Sequence, residues 1–189
     1  MALADSLDVE AVLGRSLTSD EESRVEFLIS KASGLFAREA GQEFVPGETT
    51  GARLRVRAGG VVYLPQRPVV SVTAVTDENG EDLAYTVAGQ AVTVTSPGEL
   101  VWVLVSYTHG GDVPDLVRDT VAEVVARTLR VPDDAVAGKT QAGETVGPFS
   151  SQATFAAWAV GGSVRLSPED VAVARSFRNP WRAVVSLGA

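Results

Sequence analysis

The hydrophobic period of this sequence changes twice, and those changes limit the folds open to it. Between Thr18 and Ala40 the apolar residues Val25, Leu28, Ile29, Ala32, Leu35 and Phe36 fall at i, i+3, i+4, i+7, i+10 and i+11. That spacing is one buried stripe of an amphipathic helix. From about Arg53 to Tyr107 the period drops to two: RLRVRA alternates arginine with apolar residues, and VVYLP, VVSVTAVT, LAYTV, AVTVT and LVWVLVSY follow. Val, Thr and Tyr within these runs, and Gly, Pro and Asn between them, predict about six short strands in an antiparallel sheet, barrel or sandwich. After Gly110-Gly111 helical spacing returns in Leu116, Val117, Val121, Val124, Val125 and Leu129. The expected class is α+β, with an inserted antiparallel β segment between helices.

Local signals place the boundaries. Residues 6–13 read as a short helix, with Ser6 as the cap and Gly14 as the stop. Thr18-Ser19-Asp20-Glu21 has the capping-box pattern, and Gly41 suits the residue after a helix end. Asp112 is the expected cap of the helix that Pro114 begins and Pro132 ends. Ser167-Pro168-Glu169-Asp170 is a compact helix start, and Pro180 should stop that helix near Asn179.

Thr140–Val164 behaves differently from the rest. It has one charge, Glu144, and three large aromatics, Phe149, Phe155 and Trp158. Gly143, Gly147, Pro148, Gly161 and Gly162 interrupt it. It is too apolar for a disordered linker and too irregular for a core element. An ordered, extended arm resolves the conflict, with its aromatics buried on this chain's own body or on a neighbouring subunit. Subunit burial is the preferred reading, because oligomer interfaces are rich in aromatics.

Composition narrows the chemistry. With no cysteine, disulfides, thiolate metal sites and cysteine nucleophiles are excluded, and the single histidine, His109, excludes a multi-histidine metal site. No cofactor is expected. No apolar run is long enough to span a membrane, and MALADSLDVEAVLG lacks the basic start of a secretory signal. The net charge of −8 argues against ordinary nucleic-acid binding. Charge is uneven: residues 1–50 hold ten acids against four bases, net −6, whereas the last 25 hold four arginines against two acids, net +2.

Three constellations can be weighed. His109 lies between Thr108 and Gly110, where no nucleophile elbow surrounds it, so it reads as a turn or capping histidine. Asp77-Glu78-Asn79-Gly80-Glu81-Asp82 begins like a calcium loop, but a strand follows where a helix is needed, so it reads as an Asn-Gly hairpin turn. Arg53, Arg55 and Arg57 should share one strand face. That face is either simply solvated or a contact for an acidic patch.

Four passages resemble the head–tail connector, or adaptor, family of tailed bacteriophages, especially those of actinobacteria. They are LTSDEESRVEFLISKASGLFAREAGQEF, LPQRPVVSVTAV, VSYTHGGDVPDLVRDTVAEVVAR, and GETVGPFSSQATF followed by LSPEDVAVARSFR. Together they span most of the chain in the family's order. The resemblance implies a non-enzymatic structural protein of the virion neck, made in the host cytoplasm. Copies would form a ring, typically dodecameric, between the portal and the tail or next neck protein. DNA would pass through its channel without specific binding, and no membrane is involved. The implied layout is a small helical bundle with an inserted antiparallel β domain, an extended arm and a C-terminal helix. Its boundaries are 1–48 for the N-terminal helices, 49–111 for the β insertion, 112–132 for a bundle helix, 133–166 for the arm and 167–189 for the C-terminal helix and tail. On this reading Phe149, Phe155 and Trp158 serve the subunit interface, and Arg175, Phe177, Arg178, Trp181 and Arg182 dock on the portal or pack on their own subunit. One rival is a virion or adhesion component that binds through the β insertion. A small enzyme is the other, and no metal set, phosphate loop or Ser-His-Asp order supports it.

Overall fold

The computed structural model describes residues 2–95, 98, 100–131, 141–146, 149–154 and 163–178. The fold is α+β. The chain forms two compact units. One comprises Met1–Glu39 and Pro114–Ser176, and the other Ala40–Val113 with the segment that begins at Phe177.

The helical unit contains α1 (Ser6–Leu13), α2 (Ser19–Ala40, whose last residue opens the second unit), α3 (Asp115–Leu129) and α4 (Pro168–Ser176). Each start has a chemical cause. Asp5, rather than the expected Ser6, caps α1. Its extended backbone lets its carboxylate accept from the Asp8 amide at 2.9 Å while the Asp8 carboxylate accepts from the Asp5 amide. Gly14 ends α1 in the left-handed region. At α2 the Thr18–Glu21 box forms as read. Hydrogen bonds from Arg15 and the Thr18 amide hold the Glu21 carboxyl down to about 2. Asp112 does not cap α3. Pro114 stands at that position, and its carbonyl accepts from the amides of Val117 and Arg118 at 2.9 and 3.1 Å. At α4 the Ser167 hydroxyl and the Asp170 carboxylate cap reciprocally, and the helix stops at Ser176, three residues before the expected Asn179.

Val25, Leu28, Ile29, Ala32 and Phe36 of α2 are buried, as their spacing requires. α3 buries far more than one stripe: Val117, Thr120, Val121, Ala122, Val124, Val125, Ala126, Thr128 and Leu129. Thr120 and Thr128 satisfy their buried hydroxyls on the carbonyls of Leu116 and Val124 at 2.6 and 2.8 Å. α1 packs on α3. Arg130 donates to the Val12 carbonyl at 2.9 Å, and Arg118 pairs with Asp8 at 3.6 Å. Arg127 clamps the buried Asp170 of α4 at 2.8 Å.

The second unit holds two three-stranded antiparallel sheets. The first has the order β1 (Gly47–Arg55), β6 (Trp102–His109), β3 (Val69–Thr76). The second has the order β2 (Val61–Tyr63), β5 (Ala91–Val94), β4 (Tyr85–Ala88). In β6 every second residue is buried: Val103, Val105, Tyr107 and His109. These valines and Tyr107 share one core with Val75 of β3, Val62 and Leu64 at β2, and Val92 and Val94 of β5. Burial pushes the Tyr107 phenol up, and its oxygen accepts from the Gln66 amide at 3.2 Å. The expected turn forms at Asp77–Gly80, but a single antiparallel bridge between Thr76 and Asp82 closes it, and β3 and β4 on either side go to different sheets rather than forming a hairpin. Asp77 accepts from the Glu81 and Asn79 amides, which lower its carboxyl pKa, and Gly80 takes a φ of 89°.

The expected irregular arm contains a regular hairpin instead. β7 (Gln141–Val146) pairs antiparallel with β8 (Phe149–Thr154), from Gln141↔Thr154 to Val146↔Phe149. Its strands are mostly small and polar, so backbone pairing forms a hairpin that apolar alternation does not announce.

Two predictions follow from these contacts. Gly110 has a φ of 87°, and a Cβ there would lie 2.2 Å from the Val45 carbonyl oxygen. Gly110→Ala should therefore destabilise the β unit by about 2 kcal/mol or more in urea titration. Burial pushes the Asp170 carboxyl up, but Arg127 and Ser167 outweigh it and hold the group below its ordinary value. A carboxyl lowered on folding contributes stability above its unfolded pKa and loses it as pH falls through the folded one. Asp170→Asn should cost roughly 2 kcal/mol at pH 7, a difference that shrinks below about pH 4. A pH-independent gap would contradict it.

Candidate interaction surfaces

The outer face of the first sheet carries the arginine row. Arg53 and Arg55 lie in β1 and Arg57 just beyond it, and all three are exposed. Register brings aromatics beneath them. Arg53 lies opposite Leu104 and Arg55 opposite Trp102. The Arg53 guanidinium sits 4.6 Å from the Trp102 ring centroid and pairs with Glu78 at 2.7 Å. Arg57 sits 5.3 Å from the Tyr63 ring. Guanidinium groups stacked on rings keep their N–H edges available for carboxylates, at little further loss of side-chain freedom.

The residues assigned to the portal are placed separately. Arg175, in α4, donates to Glu39 at 3.3 Å. Phe177, in the β unit, packs edge-on against Phe44 with centroids 5.5 Å apart. Its carbonyl accepts from Arg67, whose Nε also donates to Gln42 at 2.9 Å. Arg178 is exposed. Trp181 and Arg182 lie outside the described residues, as do Phe155 and Trp158. Phe149 opens β8, opposite Val146.

A further surface belongs to α2. Phe27 is 68% exposed there, with exposed Ser23, Arg24, Ser30 and Lys31 three and four residues away on the helix. The sequence carried this signal, since Phe27 falls outside the buried stripe at 25, 28, 29 and 32.

His109 ends β6 at 2% exposure, within the strand rather than in the turn after it. Its Nε2 and the Thr49 hydroxyl share a hydrogen bond at 3.0 Å, and its Nδ1 is buried without a partner among the described residues. The close approach of Gly47, whose added Cβ would lie 3.0 Å from the imidazole, fits a packed histidine. Among the described residues no group of three His, Asp or Glu side chains could hold a metal, and no helix is long and apolar enough to cross a membrane.

No protein-family model matches this chain, and no curated protein sequence matches it either.

Phe44 is almost wholly buried and supports Phe177. Phe44→Ala should lower β-unit stability by about 3 kcal/mol. It should also speed amide hydrogen exchange at Phe177 and Arg178, and unchanged exchange there would show that the ring contact does not hold this segment.

Proposed function

We propose that this protein is a structural component of a bacteriophage neck, forming a ring that joins the portal to the tail or the next neck protein. The observation that carries this reading is the order of elements. α1 and α2 and then α3 belong to one helical unit, interrupted between α2 and α3 by a complete β unit. That is the layout the resemblance implies. The passage VSYTHGGDVPDLVRDTVAEVVAR forms β6, the Gly110 turn and α3, where the chain returns from one unit to the other. A net charge of −8 suits a wall past which DNA slides, because phosphates are repelled rather than gripped. The tail beyond Arg178, with Trp181 and Arg182, is the proposed portal anchor, and Phe149, Phe155 and Trp158 are proposed to meet a neighbouring subunit.

A second reading has one observation in its favour. Trp102 and Tyr63 lie under arginines on the β unit, so that unit has the chemistry of a binding module for an acidic ligand.

Electron cryo-microscopy of the protein mixed with the portal of its phage tests the first reading. A ring stacked coaxially on the portal is expected. Truncation after Arg178 should abolish stacking while leaving the thermal melt of the body unchanged. If an intact portal is left bare by the full chain, the neck role is wrong and the binding-module reading takes its place.

A further inference from the structure

We infer that the outward face of α2, with Phe27 set between Arg24 and Lys31, docks on the acidic, leucine-bearing end of the α1–α3 pair of another copy of this protein. The inference deepens the ring reading and rests on it for its biological setting, but its argument is the chemistry of two surfaces within the helical unit.

Among the described residues of that unit, three large apolar side chains stand exposed: Leu7 at 69%, Phe27 at 68% and Leu116 at 54%. What surrounds them differs. At about 100° per residue, Phe27 points away from the buried stripe of Val25, Leu28, Ile29 and Ala32. Arg24, Lys31 and Arg38 run beside it at seven-residue intervals, about 10.5 Å apart along the axis. All three are exposed, and none has a partner among the described residues. The one acid in line with them is Asp20, in the first turn. Glu26 and Glu22 fall about 100° and about 140° round the helix from Phe27. Ser23, Ser30 and Gly34 leave the other flank of Phe27 low, so a neighbouring backbone can come close. A chain of net charge −8 thus keeps three free cations and an aromatic ring on one helix face.

The two leucines have the opposite surroundings. Leu7 and Leu116 are the second residues of α1 and α3, whose first turns are tied together by Asp8 and Arg118 at 3.6 Å. Both therefore sit at the same end of the helix pair. The charges there are Asp5, Asp8, Asp115 and Asp119 against Arg118, and Arg118 is shared by Asp8 and Asp115. Asp119 is exposed, with no partner among the described residues. The cations at the far end of α3, Arg127 and Arg130, are committed to Asp170 and to the end of α1.

Each surface supplies what the other lacks. The leucines of one copy can cover the Phe27 ring of another, and the carboxylates around them then face Arg24 and Lys31. Exposed ion pairs contribute little by themselves, so the apolar contact supplies the attraction and the charges set its orientation. A DNA backbone is a poorer occupant, because it offers Phe27 no apolar cover and the net charge repels it. Since the two surfaces are unlike, the contact is heterologous, and its repetition yields a closed ring or an open chain.

The test uses the full chain, alone and with the portal, with self-association measured by analytical ultracentrifugation and copies per portal by mass photometry. Arg24→Glu/Lys31→Glu makes both surfaces negative, and Asp115→Lys/Asp119→Lys makes both positive. Each should associate at least about tenfold more weakly than wild type, and mixing the two should restore association. Phe27→Ser and Leu116→Ser change groups that are already exposed. Both should keep the wild-type circular dichroism and melt yet weaken association as much, and they decide the matter if a charge reversal unfolds the chain. The inference is overturned if any folded variant assembles like wild type, if a mixture of folded reversals fails to recover, or if the wild type shows no self-contact in either format. It is also overturned if Arg24→Glu/Lys31→Glu keeps self-association and instead loses the portal or a short DNA duplex, which would give the α2 face to that ligand. A coaxial ring on the portal that ignores every variant would sink this contact and leave the neck reading standing. Variants that lose self-association while the wild type ignores an intact portal would uphold the contact and sink the neck reading.

Discussion

The pairing of Gly47 with His109 closes the β unit on itself. β1 opens the inserted segment and β6 ends it, so antiparallel pairing brings the chain out beside the place where it went in. Nearby bonds seal the junction. The Gly110 amide donates to the Pro68 carbonyl at 2.9 Å, and the backbone of Val45 lies so close to Gly110 that no side chain fits. With its ends fastened, the segment can be a self-contained body without disturbing the helices on either side of it in sequence. The strict burial alternation of β6, and the two-sheet core built around it, follow from the same strand being central in its sheet.

The helical unit solves a different problem with α3. A helix that buries nine residues cannot be a surface helix with one apolar stripe. It has to be covered on several sides, and its threonines must satisfy themselves internally. Polar contacts then hold the coverings in place: Arg130 on the end of α1, Arg118 on Asp8, Arg127 on Asp170. The last differs in kind from the exposed pairs. Asp170 is buried, and its carboxylate also caps α4, so one side chain both starts that helix and attaches it.

Where the sequence was readable, local chemistry decided the outcome. The stripe at 25, 28, 29, 32 and 36, the Thr18–Glu21 box, the Ser167–Asp170 start and the Asp77–Gly80 turn all depend on residues within a few positions of one another. Where it was not, the answer depended on register or distance. Ser6 and Asp112 were reasonable cap residues by type, and the backbone put Asp5 and Pro114 in those places. The 141–154 hairpin is held by ladder bonds between small residues, which leave no apolar rhythm. The arginine row was visible, but its stacking on Trp102 and Tyr63 needed the strand pairing. The contact of Phe177 with Phe44 spans most of the chain, and nothing near either residue announces it. Of the candidate site, then, residue types could be read and their partners could not.

The burial of α3 also sets an order of events during synthesis. α1 leaves the ribosome early, yet the helix on which it packs begins only at Asp115. Until then α1 lacks that partner, and a helix of eight residues is marginal in water by itself. The strands between Gly47 and His109 emerge as one uninterrupted stretch and find all their pairing partners within it. The two sheets inserted in the middle can therefore form first, while the chain is still being made, and Phe177 joins them only later. α1, first to be translated, must wait for α3 to pack against it, and α4 joins the unit later still.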